Sequence, residues 1–206
     1  MSAFLENVLD ELSTQYTKLR QDLELSGVIK IARRYFVMNA FDGALTIFGI
    51  IMGSYFSGLK NPTLIIGAGI GACLAMGISG FFGTFMTERA ERMRHLKKIE
   101  DAMLTDLGET ELSERRFVAS MFAALVDGLS PMLAALGPLT PFYLSFILPI
   151  SMDLVFTIAV AINMLILFGL GAFLGRISRE NIFKYGLLMT GTGLLTAVLL
   201  LFLQTG

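Results

Sequence analysis

Five long apolar stretches, separated by short polar ones, constrain this chain more than any other feature. They cover about residues 35–56, 63–86, 117–148, 150–174 and 182–203. A helix needs about 20 such residues to cross the hydrocarbon core of a bilayer. Composition agrees: 54% of the residues are hydrophobic, 16% are charged and the mean hydropathy is +0.70, against about 25% charged in an ordinary soluble domain. A chain of 206 residues cannot hide that much apolar surface in water, which argues against a water-soluble enzyme. The expected fold class is all-α: a polytopic membrane protein with five transmembrane helices and a cytoplasmic helical hairpin.

The polar stretches set the organisation. Residues 1–30 contain five acids (Glu6, Asp10, Glu11, Asp22, Glu24) and lack a basic start followed by an apolar core, so they do not read as a signal peptide. Leu5, Val8, Leu9, Leu12, Tyr16, Leu19 and Leu23 recur at spacings of three and four, which predicts an amphipathic cytoplasmic helix. Residues 31–86 hold spans one and two, 87–116 form a charged cytoplasmic helical insertion, and 117–206 hold spans three to five. The insertion carries eight acids and seven bases. No Gly or Pro occurs between Thr84 and Leu107, so span two is expected to continue through the insertion as one rod. Gly108 is expected to end it, with Thr110 capping the next helix. Span three is long for a straight crossing and contains Pro131, Pro138 and Pro141, which predicts a broken or kinked helix with a re-entrant end.

Charge placement orients the chain. With the N-terminus in the cytoplasm, 15 of the 16 Lys and Arg residues fall on the cytoplasmic side and only Lys60 lies outside, as the positive-inside rule requires. The expected product is an integral membrane protein with its C-terminus on the opposite side, in the plasma membrane of a prokaryote or in a vacuole-like membrane. The net charge of −1 gives no reason to expect nucleic acid as a partner, and the single cysteine, Cys73, excludes an intrachain disulfide.

A carboxylate inside the membrane costs roughly 2.5–3.5 kcal/mol on insertion scales and needs a reason. Asp42 lies in span one, and on a helix Met38, Asn39 and Thr46 share its face. Carboxylate oxygen with thioether sulfur suits a borderline transition metal better than Ca²⁺ or Mg²⁺. The alternative is an aspartate hydrogen-bonded to a neighbouring helix. Asp127 stands beside Ser130 and Pro131 in span three, with the same two readings. Asp153, near the outer end of span four, fits a solvated or helix-capping role. Phe41-Asp42-Gly43-Ala44-Leu45 and Val126-Asp127-Gly128-Leu129 hint at a parallel repeat.

On the rod, Glu88, Glu91 and His95 are spaced three and four apart, within about 60° of arc. They form a candidate metal-collecting face, and Glu111 and Glu114 repeat the spacing on the opposing helix. The alternative is a solvated face with Glu88 and Arg92 as an i, i+4 pair. Met76, one turn after Cys73, is the methionine of most interest. Gly67 and Gly71 form a GxxxG pattern, which in a span reads as close helix packing.

The segment Arg33-Arg34-Tyr35-Phe36-Val37-Met38-Asn39-Ala40-Phe41-Asp42-Gly43 resembles the first span of the vacuolar iron transporter family. The plan of five spans with a charged insertion after the second is also similar, as are Ala75-Met76-Gly77-Ile78 running into Glu88 and Glu91, and residues 123–141. The resemblance covers about residues 33–203. It implies a homodimer in the lipid bilayer that moves Fe²⁺, and often Mn²⁺, out of the cytosol in exchange for protons, with the metal as transported substrate and no permanently bound cofactor. It also implies that Asp42 and Met76 lie on the pathway, while Glu88, Glu91, Glu111 and Glu114 collect metal. Three departures stand out: Phe41 replaces the usual Asn, Ser79-Gly80 stand where Gly-Glu is frequent, and the insertion is short. Two other functions are compatible with five spans and intramembrane carboxylates. One is a membrane protein that binds or senses metal without transporting it. The other is an intramembrane aspartyl protease, which the contexts Phe41-Asp42 and Val126-Asp127 do not resemble.

Overall fold

The computed structural model of the chain describes residues 27–105 and 111–205, without the side chains of 111, 112, 204 and 205. The amphipathic helix expected near the N-terminus, the Gly108 stop and the Thr110 cap lie outside these residues. Five helices make up the described chain: α1 (Val28–Phe56), α2 (Pro62–Met103), α3 (Glu111–Leu144), α4 (Met152–Ser178) and α5 (Ile182–Thr205). All five are long and apolar enough to cross a membrane. The chain is therefore an all-helical integral membrane protein, as its five apolar runs require.

Local chemistry sets the helix boundaries. Asn61 Oδ1 accepts a hydrogen bond from the Thr63 backbone N–H at 3.0 Å, and Pro62 takes the first helical position, where its missing N–H costs nothing. Asn181 caps α5 in the same way, accepting from Phe183 and Lys184 at 3.0 and 3.2 Å. Arg179 closes α4 in the left-handed region at φ 58°. With no Gly or Pro to stop it after Thr84, α2 runs uninterrupted for 42 residues, about 63 Å at 1.5 Å per residue.

Of the two forms expected for the third span, broken or kinked, the break is corrected. α3 is one helix of 34 residues that contains all three prolines. Opening the backbone in hydrocarbon would strand several polar groups, whereas each proline removes only one hydrogen bond, and neighbouring groups can compensate.

Two compact units divide the chain: Met1–Arg34 with Phe81–Val126, and Tyr35–Gly80 with Asp127–Gly206. In the first, the charged part of α2 lies beside the start of α3. Arg116 Nη1 donates to the Arg92 carbonyl at 2.8 Å, and Phe85 meets Phe117 edge-on at 5.8 Å. Leu96, Ala119, Ala123 and Ala124 are buried.

In the second unit, α1 and α3 run parallel in a fixed register. Asn39 meets Asp127, and one turn further on Gly43 meets Pro131, so closely that a Cβ on Gly43 would stand 2.5 Å from Pro131 Cα. α2 runs antiparallel to α3, with Gly69 against Leu139 and Gly80 against Asp127. The GxxxG expectation is corrected here: Gly67 and Gly71 have open space where a Cβ would be, and Gly69, on the opposite side of the helix, makes the close contact. Ile47, Ile51, Ile65, Cys73, Leu139 and Phe142 belong to one core cluster, while Ala40, Ala44, Ala134, Leu167 and Leu170 form another. α4 and α5 form a tight antiparallel pair in which Gly171 lies directly on the Tyr185 carbonyl, leaving no room for a Cβ. The apolar stretch of α3 is half buried, whereas that of α5 is 11% buried, so α3 is central to the packing and α5 offers most of its surface to lipid.

Candidate functional site

Asp42 is the middle residue of α1 (Val28–Phe56). It is exposed on the surface of the chain and makes no hydrogen bond or ion pair among the described residues. Met38, one turn earlier, is also exposed, at 55%. The polar face read from spacing therefore divides. Met38 and Asp42 point outward, while Asn39 turns inward and donates its amide to Asp127 Oδ1 and to the Tyr35 carbonyl at 3.3 Å.

Asp127 is buried at 3% exposure. Besides Asn39 it faces Gly80 of α2, where a Cβ would lie 3.0 Å from Oδ2. Three helices thus converge on this carboxylate, and glycine at position 80 leaves the space it occupies. Ser130, one turn on, is also fully buried. Met76 is half-buried, and its carbonyl accepts from Ser79 Oγ at 3.0 Å.

Asp153 pairs with Lys60 at 2.7 Å. This ion pair joins the loop before α2 to the first turn of α4 and explains both the carboxylate at the end of span four and the one base outside the basic segments. The carboxylate, by hydrogen bond first and by charge second, raises the Lys60 ammonium above its ordinary pKa.

The charged face of α2 is more occupied than its spacing suggests. Glu88 lies 3.3 Å from Arg92, both largely buried. Glu91 and Glu114 are exposed. His95 is exposed and its Nδ1 lies 3.2 Å from Arg116 Nη2. Among the described residues no group of three or more His, Cys, Asp or Glu side chains stands close enough to hold a metal ion. The side chain of Glu111 lies outside the description.

Sequence reasoning missed Asn163. It is fully buried in α4, one turn after Ala159 and one turn before Leu167, members of the two core clusters. Among the described residues neither its amide oxygen nor its nitrogen has a hydrogen-bond partner. Buried unsatisfied amides are rare in native proteins. The only signal in the sequence was a lone amide within a strongly apolar span.

The family model described as the VIT family matches residues 88–203. An uncharacterised protein of Methanocaldococcus jannaschii is 32% identical over 169 residues, covering 81% of this chain and 85% of that one. With its five apolar helices and these matches, the chain belongs to the VIT family, a family of membrane transporters.

Proposed function

We propose that this protein carries a divalent transition metal, Fe²⁺ and secondarily Mn²⁺, out of the cytosol in exchange for protons, as a homodimer. The supporting observation is Asp42: a carboxylate at the midpoint of an apolar helix, exposed and without a partner among the described residues. Left facing lipid, it would cost roughly 2.5–3.5 kcal/mol. A second copy against this face of α1 would remove the carboxylate from lipid and line a polar path with Asp42 and Met38 from each subunit. Oxygen and thioether donors together suit a borderline transition metal such as Fe²⁺ better than they suit Ca²⁺ or Mg²⁺.

The remaining roles follow the resemblance. Met76 adds sulfur on the pathway, and Glu88, Glu91, Glu111 and Glu114 gather metal on the cytoplasmic side, joined by His95 on the ground of its spacing from Glu88 and Glu91. Asp127 supplies from α3 a carboxylate beside Gly80, the position where relatives often carry a glutamate on α2. Protons arriving from the far side neutralise Asp42 and release the metal there.

The test is Fe²⁺ uptake into inside-out vesicles under an imposed pH gradient. The parent accumulates metal and Asp42→Ala does not. Uptake by Asp42→Ala equal to the parent's removes the mechanism. Metal binding without any flux in the parent identifies a binding or sensing protein instead.

A further inference from the structure

In the first unit, Arg89, Arg92 and Arg116 converge with Ser113, Phe117 and Ser120 around a cavity of about 70 Å³. A single buried water requires only roughly 10–15 Å³, so the space accepts a small polyatomic group. Its walls are rich in unused donors. Among the described residues, Arg92 Nε and Arg116 Nε are buried without a hydrogen-bond partner, while Arg92 Nη2 makes the 3.3 Å ion pair with Glu88.

The arginines are held in place by their other contacts. Arg116 spends Nη1 on the Arg92 carbonyl and Nη2 on His95, at 2.8 and 3.2 Å, which leaves Nε facing no acceptor. Ser120 Oγ donates to the Arg116 carbonyl at 2.9 Å and fixes the turn that carries this side chain. The Arg89 guanidinium rests over the Phe85 and Phe117 rings at 5.9 and 5.8 Å. Three guanidinium groups thus line the cavity, and among the described residues no carboxylate does; Glu88 pairs with Arg92. Burying an unpaired charge is costly, and removing one member of a buried pair costs several kcal/mol for the same reason. An oxyanion in the cavity would complete the set, because guanidinium forks match phosphate oxygens.

We infer that this cavity is a binding site for a phosphate group, held by Arg92 and Arg116 with Arg89 at its edge. Its position supports a phosphate source at the membrane surface. Arg116 and Phe117 are the junction between the charged insertion and the apolar run of α3, the depth at which lipid headgroups lie. Free phosphate presents the same oxygens, and the two sources are separable by experiment.

The full-length protein, purified in detergent, is titrated with inorganic phosphate against chloride at matched ionic strength while its melting temperature is followed. In parallel, it is reconstituted with phosphatidylcholine and phosphatidylglycerol, and retained lipids are read by native mass spectrometry. Stabilisation by phosphate over chloride identifies a free-anion site. Selective retention of phosphatidylglycerol without that stabilisation identifies a headgroup site. Either response should weaken at least tenfold in Arg92→Gln and Arg116→Gln and persist in Arg94→Gln. If the glutamine variants do not fold, Arg92→Lys is used, which keeps the charge and loses the fork; it is expected to weaken the response by about tenfold. No phosphate effect and no lipid selectivity, or a response unchanged in the Arg92 and Arg116 variants, overturns the inference.

Discussion

Asn39 of α1 donates its side-chain amide to the buried carboxylate of Asp127 on α3. Four residues further along each helix, Gly43 lies against Pro131. The two contacts share one offset, so they fix both the separation and the register of two parallel helices. The polar contact provides direction, and the glycine provides the closeness that lets it form.

Replacing Asn39 by Ala is therefore expected to leave the Asp127 carboxylate short of a donor in a low-dielectric site. Hydrogen bonds to charged groups contribute about 1.5–3 kcal/mol, and a loss of about 2 kcal/mol is expected in denaturant or thermal unfolding of the purified protein. Pairing Asn39→Ala with Asp127→Ala in a double-mutant cycle should show strong coupling, since each variant removes the same contact. Additive effects would contradict the contact.

Glycine substitutions in α1 should divide by location. Gly43→Ala drives a methyl into Pro131 and should destabilise by about 1–3 kcal/mol, the usual cost of overpacking. Gly49→Ala meets nothing within 4 Å and should be neutral or stabilising by up to about 1 kcal/mol, because alanine is the better helix former. Opposite signs from two glycines six residues apart would be read directly from melting temperatures.

Much of this arrangement was visible in the sequence. Apolar run length gave the five helices, and the absence of Gly and Pro after Thr84 correctly extended α2 to Met103. Positions that depend on a neighbour were not visible. Spacing put Met38, Asn39 and Asp42 on one face, but a face about 100° wide spans both an interior and a surface, and only the approach of α3 separates Asn39 from the other two. Gly67 and Gly71 matched a packing motif, yet the partner helix lies on the side of Gly69. The prolines of α3 read as a break or a kink, and a break was admissible because local rules assume water is available to the freed carbonyls. In a span it is not, and the helix continues.

The Lys60–Asp153 pair has a defined pH signature. Asp153 raises the Lys60 pKa in the folded protein, so the pair contributes fully below the unfolded lysine value of about 10.4. Its contribution is lost as pH rises through the higher folded value. The stability difference between the parent and Lys60→Met should stay constant from neutral pH to about 10 and vanish above it. Both side chains are exposed, so added salt should shrink the difference at any pH. A difference that instead grows with alkalinity would reverse the assignment.

Asn163 offers a contrast between stability and activity. Its amide is fully buried with neither polar atom bonded among the described residues, an arrangement that costs about 1–3 kcal/mol relative to a satisfied or apolar group. Valine is branched and close to asparagine in size, so Asn163→Val should remove that cost with little repacking and stabilise the protein by about 1 kcal/mol. A chain that carries such a cost between two apolar clusters is expected to use it. Under the proposed transport function, an amide with no partner among the described residues is available to a passing ion or water. Asn163→Val should therefore melt higher than the parent while accumulating Fe²⁺ more slowly in the vesicle assay. Higher stability with unchanged flux would make Asn163 a tolerated defect, and lower stability would mean that its amide has a partner after all.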